Sequence, residues 1–335
     1  MKLVTKVLLV SLVLAVTAGL SSAAFCADLG KFYVEEQAGL GLISGFTKYH
    51  ITFEDDVWVV YRGTRYQYYG ESELEFPLSN SIWSTGLVAG FKQPKDASKD
   101  TLRFSLNWAA NISEDAGTMK DSDWLSAAYD LSYNGAIHNG LDIYSESDAS
   151  LNVAALDFNA RYYFWFNRFG VGPLVGFRWQ RLKYQITDLS QVGYGGYSDW
   201  GATWAGQVGY YEVEYAVPYI GASAQVAINS AFSAGLSLAY APAAAADDLD
   251  RHLLRDLQST SSCTGTAQII GINAAWKFKE SWSLSLDYEY FALEADGTMH
   301  DYDAETGYEY VYDNSIDNKI ETSQNTFKAG LIYRF

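Results

Sequence analysis

The chain is 335 residues long and carries 40 Asp and Glu against 23 Lys and Arg, a formal charge of −17. A surplus of that sign argues against nucleic acid as a partner and favours cationic ones. Two cysteines, Cys26 and Cys263, exclude a disulfide framework.

The N-terminus predicts export. Lys2 and Lys6 precede an apolar run from Val7 to Leu20, and the small residues Ser21, Ser22, Ala23 and Ala24 follow. That is the layout of a cleavable signal peptide over residues 1–24, cut after Ala24 or after Cys26. Phe25 directly before Cys26 argues against a lipoprotein anchor. Beyond the leader no run reaches the roughly 18 apolar residues that a transmembrane helix needs. Yet 49% of the chain is hydrophobic and 16% aromatic, so the apolar residues must be distributed in another way.

They alternate. Leu102, Phe104, Leu106, Trp108, Ala110 and Ile112 are interleaved with Arg103, Ser105, Asn107 and Asn111. In Trp282-Ser-Leu-Ser-Leu-Asp-Tyr-Glu-Tyr290 every even position is apolar or aromatic and every odd one polar. Successive side chains of a strand point to opposite faces, so each segment has one greasy and one wet face. A soluble sandwich hides the greasy face between sheets, whereas a membrane barrel turns it to lipid and keeps a polar lumen. Segment length and aromatic residues near the segment ends favour the barrel.

Such segments fall near 32–54, 72–92, 101–113, 149–166, 169–189, 208–228, 231–246, 266–278, 281–295 and 325–335. The expected fold is all-β, an antiparallel transmembrane β-barrel of about ten strands, occupying residues 25–335 as one domain. Short connections at 167–170, 229–230 and 279–280 alternate with long ones near 55–71, 114–148, 190–207, 247–265 and 296–324. Short turns belong on the periplasmic side and long loops outside. The last strand places Phe327, Ala329, Leu331, Tyr333 and the terminal Phe335 on one face, like the signal read by outer-membrane assembly machinery. A barrel of this size has a lumen filled by side chains, which disfavours a solute channel.

Three segments carry a more specific signal. Gly117-Thr-Met-Lys-Asp121-Ser-Asp123-Trp124 presents two carboxylates on one face of an extended segment; Val217-Pro218-Tyr219-Ile220-Gly221 follows, and then Asp248-Leu-Asp250-Arg-His252. In this order, within a ten-stranded barrel, they resemble the omptin family of outer-membrane proteases over most of the chain after the leader. The resemblance implies an endopeptidase whose catalytic residues are Asp121, Asp123, Asp250 and His252, acting on peptides or proteins outside the cell. The residue types suit that chemistry. A neutral imidazole, with an ordinary pKa of about 6.5, can take a proton from water. Asp250 would fix the ring's tautomer, and crowding would keep one of the aspartate pair protonated to meet an oxyanion.

The family's implied preference for cationic side chains rests on two acids. Asp248 matches one; the other, aligned from Gly41-Leu-Ile-Ser-Gly45, falls on Tyr49, which supplies an aromatic wall and no charge. The resemblance also implies lipopolysaccharide on the outer wall as a requirement for activity. Arg181 matches one contact, whereas Glu214 stands where a basic residue is expected and Phe177 and Trp179 replace polar contacts. No metal or other cofactor is expected. The competing reading is a non-catalytic barrel acting as an adhesin or peptide-binding surface, kept open by the change at Tyr49. One local difficulty accompanies the protease reading. Phe232, Leu236, Leu238 and Tyr240 put even positions toward lipid, so strict alternation would send Asp250 and His252 outward unless a bulge intervenes near Pro242.

Overall fold

Alternating segments of this length cannot leave their backbone groups unpaired in a membrane, and here every stave pairs on both sides. The computed structural model describes residues 31–335 except 62, 63, 95, 126, 131–134, 137–139 and 311–314. The signal peptide and Cys26 lie outside the described residues. The strands are β1 (Lys31–Tyr61), β2 (Thr64–Gln93), β3 (Asp96–Asn111), β4 (Asp115–Trp124), β5 (Ala127–Asp130), β6 (Gly135–Ala136) and β7 (Ile143–Tyr162). There follow β8 (Phe164–Phe166), β9 (Phe169–Gly193), β10 (Ala202–Ala227), β11 (Phe232–His252), β12 (Leu257–Lys279), β13 (Trp282–Asp303) and β14 (Ile316–Arg334). All belong to one antiparallel sheet, and β1 pairs with both β2 and β14, which closes the ring. β3 and β4 are two halves of one stave, since both lie between β2 and β7. With β5, β6 and β8 as short additions, the ring has the ten expected staves.

Two belts divide the barrel. Near the short-turn end the outward residues are apolar and exposed, among them Leu40, Leu42, Leu87, Ile220, Leu238, Ile272, Leu286 and Leu331. Phe166, Phe169, Phe232, Trp276, Trp282 and Phe335 rim one edge of this belt, and Trp83, Trp108 and Tyr240 rim the other. Nine residues of β11, 232–240, cross the belt, the length that a tilted strand needs to span hydrocarbon. Inside it the lumen is polar, with a cavity of about 100 Å³ lined by Asn107, Asp157, Arg178, Gln180, Glu289 and Lys328. Arg178 lies 2.5 Å from Glu289 and 3.6 Å from Asp157. At the short-turn end Arg334 Nε donates to Glu35 Oε1 at 2.8 Å, tying β14 to β1 across the seam.

Above the belt the staves continue well beyond the sequence-based boundaries. Segments expected as loops at 247–252, 257–265 and 296–303 are strand. Their outward face is no longer apolar, so hydrophobic alternation stops while hydrogen-bonded pairing does not. Gly45 marks one tight approach in this region. Its φ is +136°, and a Cβ there would sit 1.9 Å from the Ser323 carbonyl oxygen, so only glycine fits.

The expected bulge is present. Ala241 pairs with Ala267 and Ala244 with Gly265, so Pro242 and Ala243 oppose the single residue Thr266. Against β10 the same stretch again contains one residue too many. Proline, which has no N–H to give the ladder, is tolerated at such an irregularity. Below it Leu236, Leu238 and Tyr240 face outward; above it Ala244, Ala246, Asp248 and Asp250 are buried. Deleting Ala243 should therefore restore strict alternation with residues 248–252 keeping their faces, because Pro242 alone would then oppose Thr266 and Ala244 would still point inward. A membrane-impermeant maleimide should label Leu249→Cys faster than Asp250→Cys in the parent and again in the deletion variant, with the barrel still heat-modifiable on gels. A reversed order in the variant would show that the extra residue does not set the parity.

Candidate active site

The bulge places Asp248 and Asp250 beside specific neighbours. Asp250 lies opposite Tyr211 on β10 and Ser259 on β12, and Asp248 opposite Val213 and Ser261. Ser261 Oγ donates to Asp248 Oδ1 at 2.5 Å, and Tyr211 donates its hydroxyl to Oδ2 at 3.3 Å. Asn318 on β14 in turn donates to Ser261 Oγ at 2.7 Å. Asp250 Oδ2 accepts the hydroxyl of Tyr49, which reaches across the lumen from β1. The same oxygen lies 3.2 Å from His252 Nε2. Tyr49, expected to wall a substrate pocket, is thus 2% exposed and has its hydroxyl committed to Asp250.

A layer of rings forms the floor. Phe76 stacks on Tyr211 with centroids 4.2 Å apart, and Tyr49 and Tyr184 flank the pair. All four are essentially inaccessible to solvent. Removing one such ring costs about 3–5 kcal/mol in a packed core. The layer closes the lumen beneath the acids, so burial pushes each of them upward and the partners of each decide where it ends.

Asp121 and Asp123 enter from β4. Leu74 faces Asp121 and Ser72 faces Asp123 across the β2 ladder, so both carboxylates share the inward face with Ser72. Ser72 Oγ is 3.5 Å from Asp121 Oδ1. Burial pushes Asp121 well above the ordinary carboxylate range, the neighbouring charge of Asp123 adds to this, and Arg255 opposes it. Burial likewise raises Asp123, against the pull of Ser72, Arg255 and His252. Asp250 goes the other way. Burial would raise it, but His252, the Tyr49 hydroxyl and Arg255 together hold it below the usual value. Asp248, buried and only partly compensated by Ser261, is pushed up to about 7. The charge of Asp250 helps to raise Asp121 and that of His252 helps to lower Asp123, so the two pairs lie within electrostatic reach of one another. An anionic Asp beside a histidine, facing an acid pair that keeps a proton, can both accept and donate at a polarised carbonyl.

Sequence reasoning named these four residues but not Ser72, Tyr211, Ser261 or Arg255. The first three follow from strand register, which a single sequence does not display. Arg255 stands three residues after His252 in the turn 253–256, and its Nη2 lies 2.9 Å from His252 Nδ1. Arg181 is elsewhere, on the outer wall just above the apolar belt. Its guanidinium lies 5.8 Å from the Trp179 ring centre and 4.0 Å from Glu212, while Trp179 Nε1 donates to Glu214 at 2.8 Å.

Comparison with known proteins agrees with this architecture. The outer membrane protease OmpT from Escherichia coli superposes with a TM-score of 0.69 at 16% identity, over 91% of this chain and 98% of that one. OprG from Pseudomonas aeruginosa (8% identity, TM-score 0.34, 92% and 98% covered) and Ail from Yersinia pestis (11%, 0.28, 90% and 99%) are more distant barrels. No curated protein sequence matches the chain. The family model of the omptins matches residues 47–335, and with ten staves around a ring and that match over most of its length, the chain belongs to the omptin family of outer-membrane proteases.

Proposed function

We propose that this barrel hydrolyses peptide bonds in a groove facing the cell exterior, with Asp121, Asp123, Asp250 and His252 as its catalytic residues. The observation that carries the reading is Asp250. It is turned inward by the bulge, kept anionic, and held on one oxygen by Tyr49 and His252. In the proposed reaction a water in the groove attacks the scissile carbonyl as His252 takes its proton at Nδ1. Asp250, on the Nε2 side, stabilises the imidazolium without itself becoming protonated. The protonated member of the Asp121 and Asp123 pair donates to the oxyanion, and the ionised member orients the water. Collapse of the tetrahedral adduct breaks the C–N bond, and His252 returns its proton to the departing amine. No acyl-enzyme and no metal ion takes part.

Substrates of this groove are proposed to be cationic. Its carboxylates outnumber its cations, and Asp248 supplies charge beside the ring layer. Lipopolysaccharide is proposed as the lipid partner, with Arg181 as its contact on the outer wall. Because Trp179 engages Glu214, and Lys183 engages Glu212 at 2.6 Å, those acids are less repulsive to a phosphate than their charge suggests.

His252→Ala should lower kcat by about 10²–10⁴-fold, the usual worth of a positioned base, while leaving heat-modifiability intact. Asp121→Asn and Asp123→Asn should each fall by a similar order, non-additively with His252→Ala. Wild-type turnover in His252→Ala would refute the mechanism and favour a peptide-binding barrel. Tyr49→Phe should cost about tenfold in kcat, the scale of one hydrogen bond to a charged group, with KM nearly unchanged.

The ionisation of Asp248 gives a test of substrate charge. As pH rises through about 7 its carboxyl deprotonates, so preference for an arginine peptide over its neutral counterpart should grow across that range. The growth should vanish in Asp248→Asn. A preference flat with pH in the parent would remove Asp248 from substrate recognition.

A further inference from the structure

The turn joining β11 to β12 carries a cation that the proposed chemistry does not use. Its backbone is pinned. Leu253 N donates to the Val208 carbonyl at 2.9 Å, Ala304 N donates to the Asp256 carbonyl at 2.7 Å, and Asp256 adopts a left-handed φ of +49°. The side chain of Arg255 is exposed, so it can swing while the turn stays fixed. Its Nη2 sits 2.9 Å from His252 Nδ1.

The chemistry of that contact has one sense. A guanidinium is always protonated and has no acceptor, so Nδ1 must offer its lone pair and the ring proton must lie on Nε2, toward Asp250. An imidazole nitrogen has a single in-plane lone pair. It can accept from Arg255 or from the attacking water, not from both. The same guanidinium acts on the carboxylates of Asp121, Asp123 and Asp250, so it stands as the counter-ion of both pairs. A cationic substrate side chain seeks the same position.

We propose that Arg255 is a specificity-determining residue: a tethered cation that caps His252 until a basic side chain of the substrate replaces it as counter-ion of the acidic groove. A neutral peptide entering the groove gives the acids nothing in exchange for the guanidinium, so the cap remains and water does not reach Nδ1. An arginine or lysine peptide supplies the positive charge, repels Arg255 toward solvent and frees the base. Selectivity then comes from release of the base as well as from attraction. That matters here, because Tyr49 contributes no charge and Asp248 is 6% exposed with both oxygens already hydrogen-bonded.

The inference rests on the assignment of His252 as the base, and the experiment separates the two. The full-length protein, refolded with lipopolysaccharide, is assayed on two peptides that differ only in arginine against citrulline, its neutral isostere, beside the scissile bond. In the parent, kcat/KM should favour arginine. In Arg255→Gln the citrulline peptide should gain about tenfold or more relative to the arginine peptide, on the scale of one released charge-assisted hydrogen bond. The ¹⁵N shifts of His252 should report the Nε2–H tautomer in the parent and a mixture of tautomers in Arg255→Gln. An unchanged arginine-to-citrulline ratio, or unchanged shifts, overturns the inference. Activity persisting in His252→Ala overturns the catalytic reading beneath it, whereas a dead His252→Ala together with an unaltered ratio in Arg255→Gln overturns the inference alone.

Discussion

The period of two along a strand, and its single interruption at Pro242 and Ala243, governs where every functional group on β11 points. Below the interruption the parity serves the lipid belt; above it the opposite parity serves the groove. A strand that faces hydrocarbon on one side cannot present acids on that side. A regular β11 could therefore have carried either its belt residues or its inward aspartates in this sequence, but not both. One unpaired residue reconciles the two demands at the cost of one ladder position.

The electrostatics follow from what the bulge puts over the ring layer. Phe76, Tyr49, Tyr184 and Tyr211 exclude water from beneath the acids, so each carboxylate depends on its local partners. Asp250 has a histidine, a phenol and a guanidinium, and it stays ionised. Asp121 has chiefly another aspartate, and it retains its proton more tightly. Acid and base roles at one pH thus come from unequal partners within a common low-dielectric setting. Tyr49 contributes twice, as a ring in the layer and as a donor to Asp250. This gives a use for a tyrosine at a position where the family resemblance suggested a carboxylate.

Much of this was legible in the sequence, for definite reasons. Alternation in the belt is enforced by lipid, so Leu102 to Ile112 and Phe327 to Phe335 announce their strands without ambiguity. The strand ends above the belt were not legible, because Ala245, Asp247, Leu249 and Arg251 face water and carry no apolar rhythm; residues 247–252 therefore looked like loop. The bulge could be inferred, since the parity of Tyr240 and that of Asp250 are incompatible on a regular strand. The partners of the site could not. Ser72 beside the Asp121 and Asp123 pair, and Ser261 beneath Asp248, depend on register between distant segments. The proximity of Arg255 to Nδ1 depends on the course of one tight turn.

The ion pair between Glu35 and Arg334 joins residues 299 apart in the chain, and that separation bears on how the barrel comes to exist. Hairpins such as β11 and β12 can form from neighbouring sequence, but the pairing of β1 with β14 must await the final residues of synthesis. Until then two unpaired edges are open at once, each a template for another chain. Loop-closure entropy grows only slowly with length, so the seam is not prohibitively unfavourable at equilibrium. Its difficulty is kinetic. A buried charge on β1 whose closest partner lies on the last stave makes complete closure distinguishable from a ring one stave short, because the shorter ring would leave Glu35 with only the more distant Arg103, 4.0 Å away.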